Sequence, residues 1–163
     1  MLLIVSFSSK CYLFYKELRL TETLIFRNFP MSPSSNTMYS SVNGRFIKSK
    51  EAKIFVELTQ KWSWSHFQKI QYLKSKWLDQ TLRVDTCFVF TKSRFFTKNG
   101  KIRKLDFTNR IKAAHDCFSD ILGIDDSLFL EGYFCKKYTN DSRDYIEFHV
   151  SLSAPLLHNP EIV

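Results

Sequence analysis

Five aspartates, Asp106, Asp116, Asp120, Asp125 and Asp126, crowd residues 104–132 of an otherwise basic chain, and Lys112 stands among them. Carboxylates gathered this way can hold a hard dication, and a lysine beside them can meet the charge of a phosphate being cut. The same residues also suit the solvated face of an ordinary amphipathic helix. On that reading Lys112 and Asp116 form an i,i+4 pair contributing about 0.2–0.5 kcal/mol, and Asp106 is a cap. One feature resists it. Asp125 and Asp126 are adjacent after Gly123, at the start of an apolar stretch read as a buried strand, where two like charges repel. A cation removes that conflict.

The elements that must position these groups follow from periodicity and punctuation. Asp106 is a competent N-cap with Asn109 at the third helical position, and Gly123 ends the uninterrupted segment as a C′ residue. At 3.6 residues per turn, Phe107, Ile111, Ala114, Phe118, Ile121 and Leu122 share one face, opposite Asn109, Lys112, Asp116 and Asp120. Before the helix, "RVDTCFVFTKS" (83–93) alternates like a strand with a buried face, and "TKSRFFTKNGKIRK" (91–104) is a basic loop without an acid. Such a run is an ordinary solvated loop or a phosphate-gripping arm delivered to Asp106. After the helix, "LFLEGYFCKKY" and "RDYIEFHVSLS" read as two closing strands joined by a turn at 139–142. Upstream, "TLIFRNF" (23–29) is a first strand, 30–45 a long loop rich in turn residues, and Ser49 the cap of one long helix or two short ones. Trp62, Trp64 and Trp77 read as core or interface residues.

Composition sets the frame. A chain of 163 residues, 44% hydrophobic, supports one core and one domain. Its net charge of +8 favours a polyanionic partner. Cys11, Cys87, Cys117 and Cys135 include no C-x-x-C pair and no zinc-type cluster with histidine, so they read as reduced, mostly buried thiols. The apolar run at the N-terminus is broken by Lys10, short of the roughly 20 residues a membrane span needs, and lacks the basic start and cleavage site of a signal peptide. It reads as a poorly ordered extension or the product of an upstream start codon, and no membrane partner or organic cofactor is expected.

The pattern as a whole resembles the RusA-type Holliday junction resolvases of bacteria and their phages. Their motif, broadly D-x-D-N-x-x-K-A-x-x-D followed by a short apolar turn and D-D, is similar to Asp106-Phe-Thr108-Asn109-Arg-Ile-Lys112-Ala-Ala-His-Asp116 and then Ile124-Asp125-Asp126. Their upstream segments resemble Pro33-Ser-Ser-Asn36, Tyr39, Gly44-Arg45 and Ser49-Lys-Glu-Ala. The likeness spans about 22–153, leaving 1–21 as the extension and 154–163 as a C-terminal tail.

The resemblance implies an α+β fold, a mixed sheet of about four strands with two main helices, acting as a homodimer. It implies a cytoplasmic, Mg²⁺-dependent endonuclease cutting branched DNA in recombination and repair. Asp106 and Asp126 would be metal carboxylates with Asp125 beside them, and Lys112 the catalytic lysine. Asn109 would orient the site and Asp116 would hold Lys112. Asn36, Arg45, Lys98, Lys101, Arg103 and Lys104 would contact DNA. Thr108 departs from the pattern, offering a neutral hydroxyl as ligand where the family has its second acid. Asp125 or Asp116 then compensates, metal binds more weakly, or the protein binds junctions and cuts them poorly; the register of the other residues favours retained activity. The rival is a catalytically silent nucleic-acid-binding module whose acids are only a helix face.

Overall fold

A computed structural model of the chain describes residues 22–42, 44–104 and 108–153. The expected extension at 1–21, the tail at 154–163, and Asp106 with its cap and Phe107 lie outside the described residues. The fold is α+β, in the order β1 (Leu24–Pro30), a 3-10 turn (Ser35–Thr37), β2 (Tyr39–Val42), β3 (Arg45–Lys48), α1 (Lys50–Ser65), α2 (Phe67–Trp77), β4 (Leu82–Thr91), α3 (Lys92–Phe95), α4 (Thr108–Leu122), a 3-10 turn (Asp126–Leu128), β5 (Phe129–Glu131), β6 (Phe134–Thr139) and β7 (Tyr145–Leu152).

Strand β4 is the axis of a mixed five-stranded sheet. On one edge it pairs antiparallel with β7, which pairs antiparallel with β1; on the other it pairs parallel with β5 and then β6. The stretch read as one strand at 128–138 is therefore two. Gly132 divides it, because a Cβ there would lie 2.6 Å from the Val84 carbonyl oxygen, and the Tyr133 carbonyl resumes pairing by accepting the Thr86 N–H at 2.8 Å. The two closing strands do not pair with each other. They flank β4, and the chain between them crosses its end, where the Asp144 carboxylate accepts the Thr91 N–H at 2.7 Å.

Alternation directs Val84 and Phe88 of β4, with Ile146, Phe148 and Val150 of β7, to one face of the sheet. Phe55 and Trp62 of α1, Leu73 and Trp77 of α2, and Phe118 and Leu122 of α4 cover it. Phe118 lies flat on Phe148 with ring centroids 4.0 Å apart, which fixes α4 against the sheet. Each such buried side chain contributes about 1.5–3 kcal/mol. Trp62 and Trp77 are core as predicted, whereas Trp64 is exposed. Cys87 is buried and Cys117 and Cys135 are half-buried, all three free thiols.

Ser49 caps α1 as predicted, its Oγ accepting the Ala52 N–H at 3.1 Å. The helical stretch beyond is two helices rather than one, because His66 turns back on the first. Its ring stacks on Trp62 at 4.2 Å and its Nδ1 meets the Trp62 carbonyl oxygen at 3.0 Å. Both stretches read as loops carry structure. Residues 30–45 hold the first 3-10 turn and β2, which pairs β3 in a separate hairpin. The basic arm holds α3 and a small hairpin in which Phe96 bridges Ile102 and the Thr97 N–H reaches the Lys101 carbonyl at 2.7 Å. Gly44 and Gly100, each at φ +74°, make the two reversals, a conformation glycine adopts without a steric penalty.

Candidate active site

Helix α4 carries the site, and three contacts besides its apolar face hold it. Ser32 Oγ donates to the Arg110 carbonyl at 2.9 Å while the Arg110 guanidinium donates back to the Ser32 carbonyl. Cys117 Sγ donates to Thr59 Oγ1 of α1 at 3.3 Å. His115 Nε2 meets Thr86 Oγ1 of β4 at 2.8 Å, and its ring lies among Phe129, Phe134 and Phe148. Burial holds the His115 imidazole below its ordinary pKa, with the charges of Asp116 and Asp126 opposing that shift in part. It is a neutral residue that ties the middle of α4 to the sheet.

On the solvent face Lys112 Nζ lies 3.1 Å from Asp116 Oδ1, the i,i+4 pair that helical spacing predicts. The hydrogen bond from Lys112 to Asp116 raises the ammonium above its ordinary value, the Asp116 charge adds to this, and the Asp126 charge adds further. Lys112 therefore stays protonated at neutral pH.

Asp126 reaches this place through the end of the helix. The Ile124 N–H bonds the Ser119 carbonyl and the Gly123 N–H the Asp120 carbonyl, each at 3.2 Å, with Gly123 at φ +61°. This is the Schellman arrangement, which satisfies the last carbonyls and turns the chain back. Buried Ile124 pins the return to the core.

The two adjacent acids do not open a buried strand, as the sequence suggested. Asp125 and Asp126 are exposed at the start of a 3-10 turn, and Asp125 caps it by accepting the Ser127 N–H at 2.8 Å. Hydrogen bonding from Ser127, through its hydroxyl first and this N–H second, holds the Asp125 carboxyl below its usual value. The conflict that seemed to call for a cation is thus relieved locally for Asp125, which has a structural task. The Asp126 carbonyl accepts the Phe129 N–H that closes the turn, but its carboxylate makes no hydrogen bond or ion pair with another described residue and is open to a ligand.

Of the other predicted residues, Thr108 opens the described part of α4 and is exposed, while Asn109 is half-buried beside it. Asp106 lies outside the described residues. Asn36 is exposed on the 3-10 turn that packs against α4, and Arg45 is exposed on the β2–β3 hairpin. Lys98, Lys101, Arg103 and Lys104 are exposed on the arm, although Arg103 Nε donates to the Phe96 carbonyl at 2.9 Å.

Among the described residues no group of three or more His, Cys, Asp or Glu side chains is placed to hold a metal ion. The donors near Lys112 are nevertheless oxygen atoms, exposed, with Asp126 uncommitted. That chemistry fits Mg²⁺, which prefers hard oxygen ligands, takes one or two protein carboxylates and keeps several waters. Sequence reasoning missed the His115–Thr86 tether and the Ser32–Arg110 clamp. His115 stands beside Asp116 inside the motif, but nothing in the sequence pairs it with Thr86.

A family model described as endodeoxyribonuclease RusA matches residues 28–149. No curated protein matches the chain. Among solved structures, the chain is similar to 2C-methyl-D-erythritol 2,4-cyclodiphosphate synthase from Plasmodium vivax, with 9% identity over 80% of this chain and 92% of that one and a TM-score of 0.27. A likeness that loose bears on neither fold nor function. Among the described residues no helix is long and apolar enough to cross a membrane.

Proposed function

The chain belongs to the endodeoxyribonuclease RusA family, and from that premise we propose that it resolves Holliday junctions by Mg²⁺-dependent, paired phosphodiester hydrolysis. It is accordingly an endodeoxyribonuclease, a hydrolase acting on branched DNA. The observation that supports the finer reading is the Lys112–Asp116 ion pair on the solvent face of α4, with the exposed Asp126 beyond the Gly123 turn adding its charge to the field at Lys112.

Asp106 and Asp126 are the carboxylates that would hold the ion, with Asp125 beside them and the Thr108 hydroxyl as a neutral donor. When bound, Mg²⁺ supplies an activated water and stabilises the leaving oxygen. Lys112, kept protonated and oriented by Asp116, presents its ammonium to the charge that grows on the phosphate oxygens. Asn109 orients the start of the helix. Asn36, Arg45 and the arm residues hold the phosphates of the DNA. A four-way junction has two-fold symmetry, so a homodimer sets two equivalent sites at two strands. On this reading residues 22–153 form the nuclease unit of a cytoplasmic enzyme encoded by a bacterium or a phage. The neutral Thr108 favours one alternative, a member that binds branched DNA and cuts it weakly.

Cleavage of a labelled four-way junction with and without Mg²⁺, for the wild type and Asp126→Asn, tests the proposal. The wild type should nick two opposed strands only when the ion is present. The near-isosteric variant should keep its fold and its junction binding while losing about 100-fold or more in rate. Undiminished turnover in Asp126→Asn, or cutting in excess chelator, would sink the metal-site reading.

A further inference from the structure

A cleft of about 650 Å³ opens at the end of the sheet away from the Gly123 turn, between β1, α1, α3 and the β6–β7 connection. Three cationic side chains line it, Lys61 of α1, Arg94 of α3 and Arg143 of the connection, each brought by a different element. Asp144 is the one carboxylate in its lining, and it is committed. Its side chain is 7% exposed, pairs with Arg94 and accepts the Thr91 N–H. That leaves Arg94 anchored in direction, and it leaves Lys61 and Arg143 uncompensated, since the side chain of neither makes a hydrogen bond or ion pair with another described residue.

The wall of the cleft carries a second irregularity. Asn28 stands at φ +58° where the register of β1 slips against β7, and it is the one non-glycine residue with positive φ among those described. Left-handed backbone at such a residue is uncommon and collects at functional places. The cleft is also tied to the candidate active site. Met31 lines it, and the next residue, Ser32, is clamped to Arg110 of α4.

We propose that this cleft is a second phosphate-binding site, which takes a backbone phosphate of a DNA arm away from the bond being cut. The proposal rests on the DNA-cutting reading for its ligand, though not for its geometry. Two unpaired cations facing one concavity attract a polyanion, and a guanidinium held by a buried carboxylate offers a fixed fork of donors to phosphate oxygens. Acting away from the catalytic lysine, the cleft would contribute to binding and registration of the junction and not to the chemical step.

The test is the exposed double variant Lys61→Ala with Arg143→Ala, compared with wild type by thermal unfolding, by binding to junction and to plain duplex over a range of salt, and by single-turnover cleavage at saturating junction. The expected result is an unchanged unfolding temperature and saturated cleavage rate, weaker binding to both DNAs, and a plot of log affinity against log salt flattened by up to about 0.9 per lost contact. An unchanged salt slope overturns the proposal, and so does a lost rate at saturation with binding intact. If the wild type cuts no junction at all, the nuclease reading fails while the salt comparison on duplex still decides the cleft. Inorganic phosphate separates the remaining source. If it competes in the wild type but not in the double variant, and the DNA salt slopes agree, the cleft serves a free anion and the DNA assignment is wrong.

Discussion

At position 108 the chain carries a hydroxyl where the family pattern has its second acid, and the neighbouring geometry bears on what that costs. Asp125 is one candidate to compensate, yet one of its oxygens is occupied by the Ser127 N–H in the 3-10 turn. Asp116 is occupied by Lys112. Neither is as open to an ion as Asp126, so position 108 itself is the one where an added carboxylate gains most. Thr108→Asp should therefore lower the Mg²⁺ concentration for half-maximal junction cleavage, because extra ligand charge strengthens binding of a hard dication. A Mg²⁺ titration of wild type and variant side by side checks it. A higher metal requirement in the variant means the wild-type shell was already complete, with like-charge repulsion raising the pKa of one acid.

At the scale of elements, the site depends on how the chain returns from α4 to the sheet. The Schellman turn sends Asp126 back past the helix, and β5 then seats on the first residues of β4, with Phe129 opposite Leu82. Gly132 ends that short strand in a place with no room for a side chain, since an added Cβ would meet the backbone of Val84. Backbone cannot move aside as a flexible side chain would. Gly132→Ala should thus cost on the order of 2 kcal/mol, within the usual range for overpacking, and should also slow cleavage by displacing β5 and the turn that carries Asp126. Thermal unfolding and junction cleavage of the variant measure both effects. A variant as stable as wild type would show that the β5–β6 junction shifts freely.

The whole molecule shows how its net charge of +8 is distributed. Cations project from the arm at 91–104, while on the sheet an acid is drawn in and neutralised. Glu147 is buried between His149 Nε2 at 2.8 Å and Lys137 Nζ at 3.3 Å. Burial pushes its carboxyl up, but the hydrogen bond with His149 and the charge of Lys137 outweigh that, leaving it below its ordinary 4.5. A carboxyl depressed in the fold binds its proton more readily when unfolded. Its stabilisation is therefore present above about pH 4.5 and is lost as pH falls through the folded value. Glu147→Gln should destabilise the protein by about 2 kcal/mol at pH 7, and the gap should close by pH 3, where the wild type has lost the same contribution. Unfolding temperatures across that range decide it, and parallel curves for the two proteins would remove Glu147 from the pH response. The arm has a different signature. Neutralising Lys98, Lys101, Arg103 and Lys104 together should flatten the salt dependence of junction affinity by up to about 0.9 per lost contact and leave the Mg²⁺ requirement unchanged. An unchanged slope would return the arm to an ordinary solvated hairpin.

Elements whose signals are local could be read from the order of residues alone. The amphipathic face of α4, its Gly123 stop, the Ser49 cap and the alternation of β4 each depend on neighbours a few residues away, so each was legible before any fold was known. The family likeness was legible for a similar reason, because its motif is a spacing along one helix and one turn. Tertiary structure decided what depends on partners distant in sequence. Gly132 splits a strand only because Val84 lies behind it, and β6 and β7 separate only because β4 passes between them. His115 is neutral because Thr86 and three phenylalanine rings surround it. Asp125 and Asp126 looked alike as adjacent letters, and only the 3-10 turn made one a cap and left the other open. Lys61, Arg94 and Arg143 show no pattern along the chain, since three separate elements bring them to one cleft. Spacing along a chain encodes the period of a helix or strand, but a contact between elements is chosen by packing, which the period does not contain.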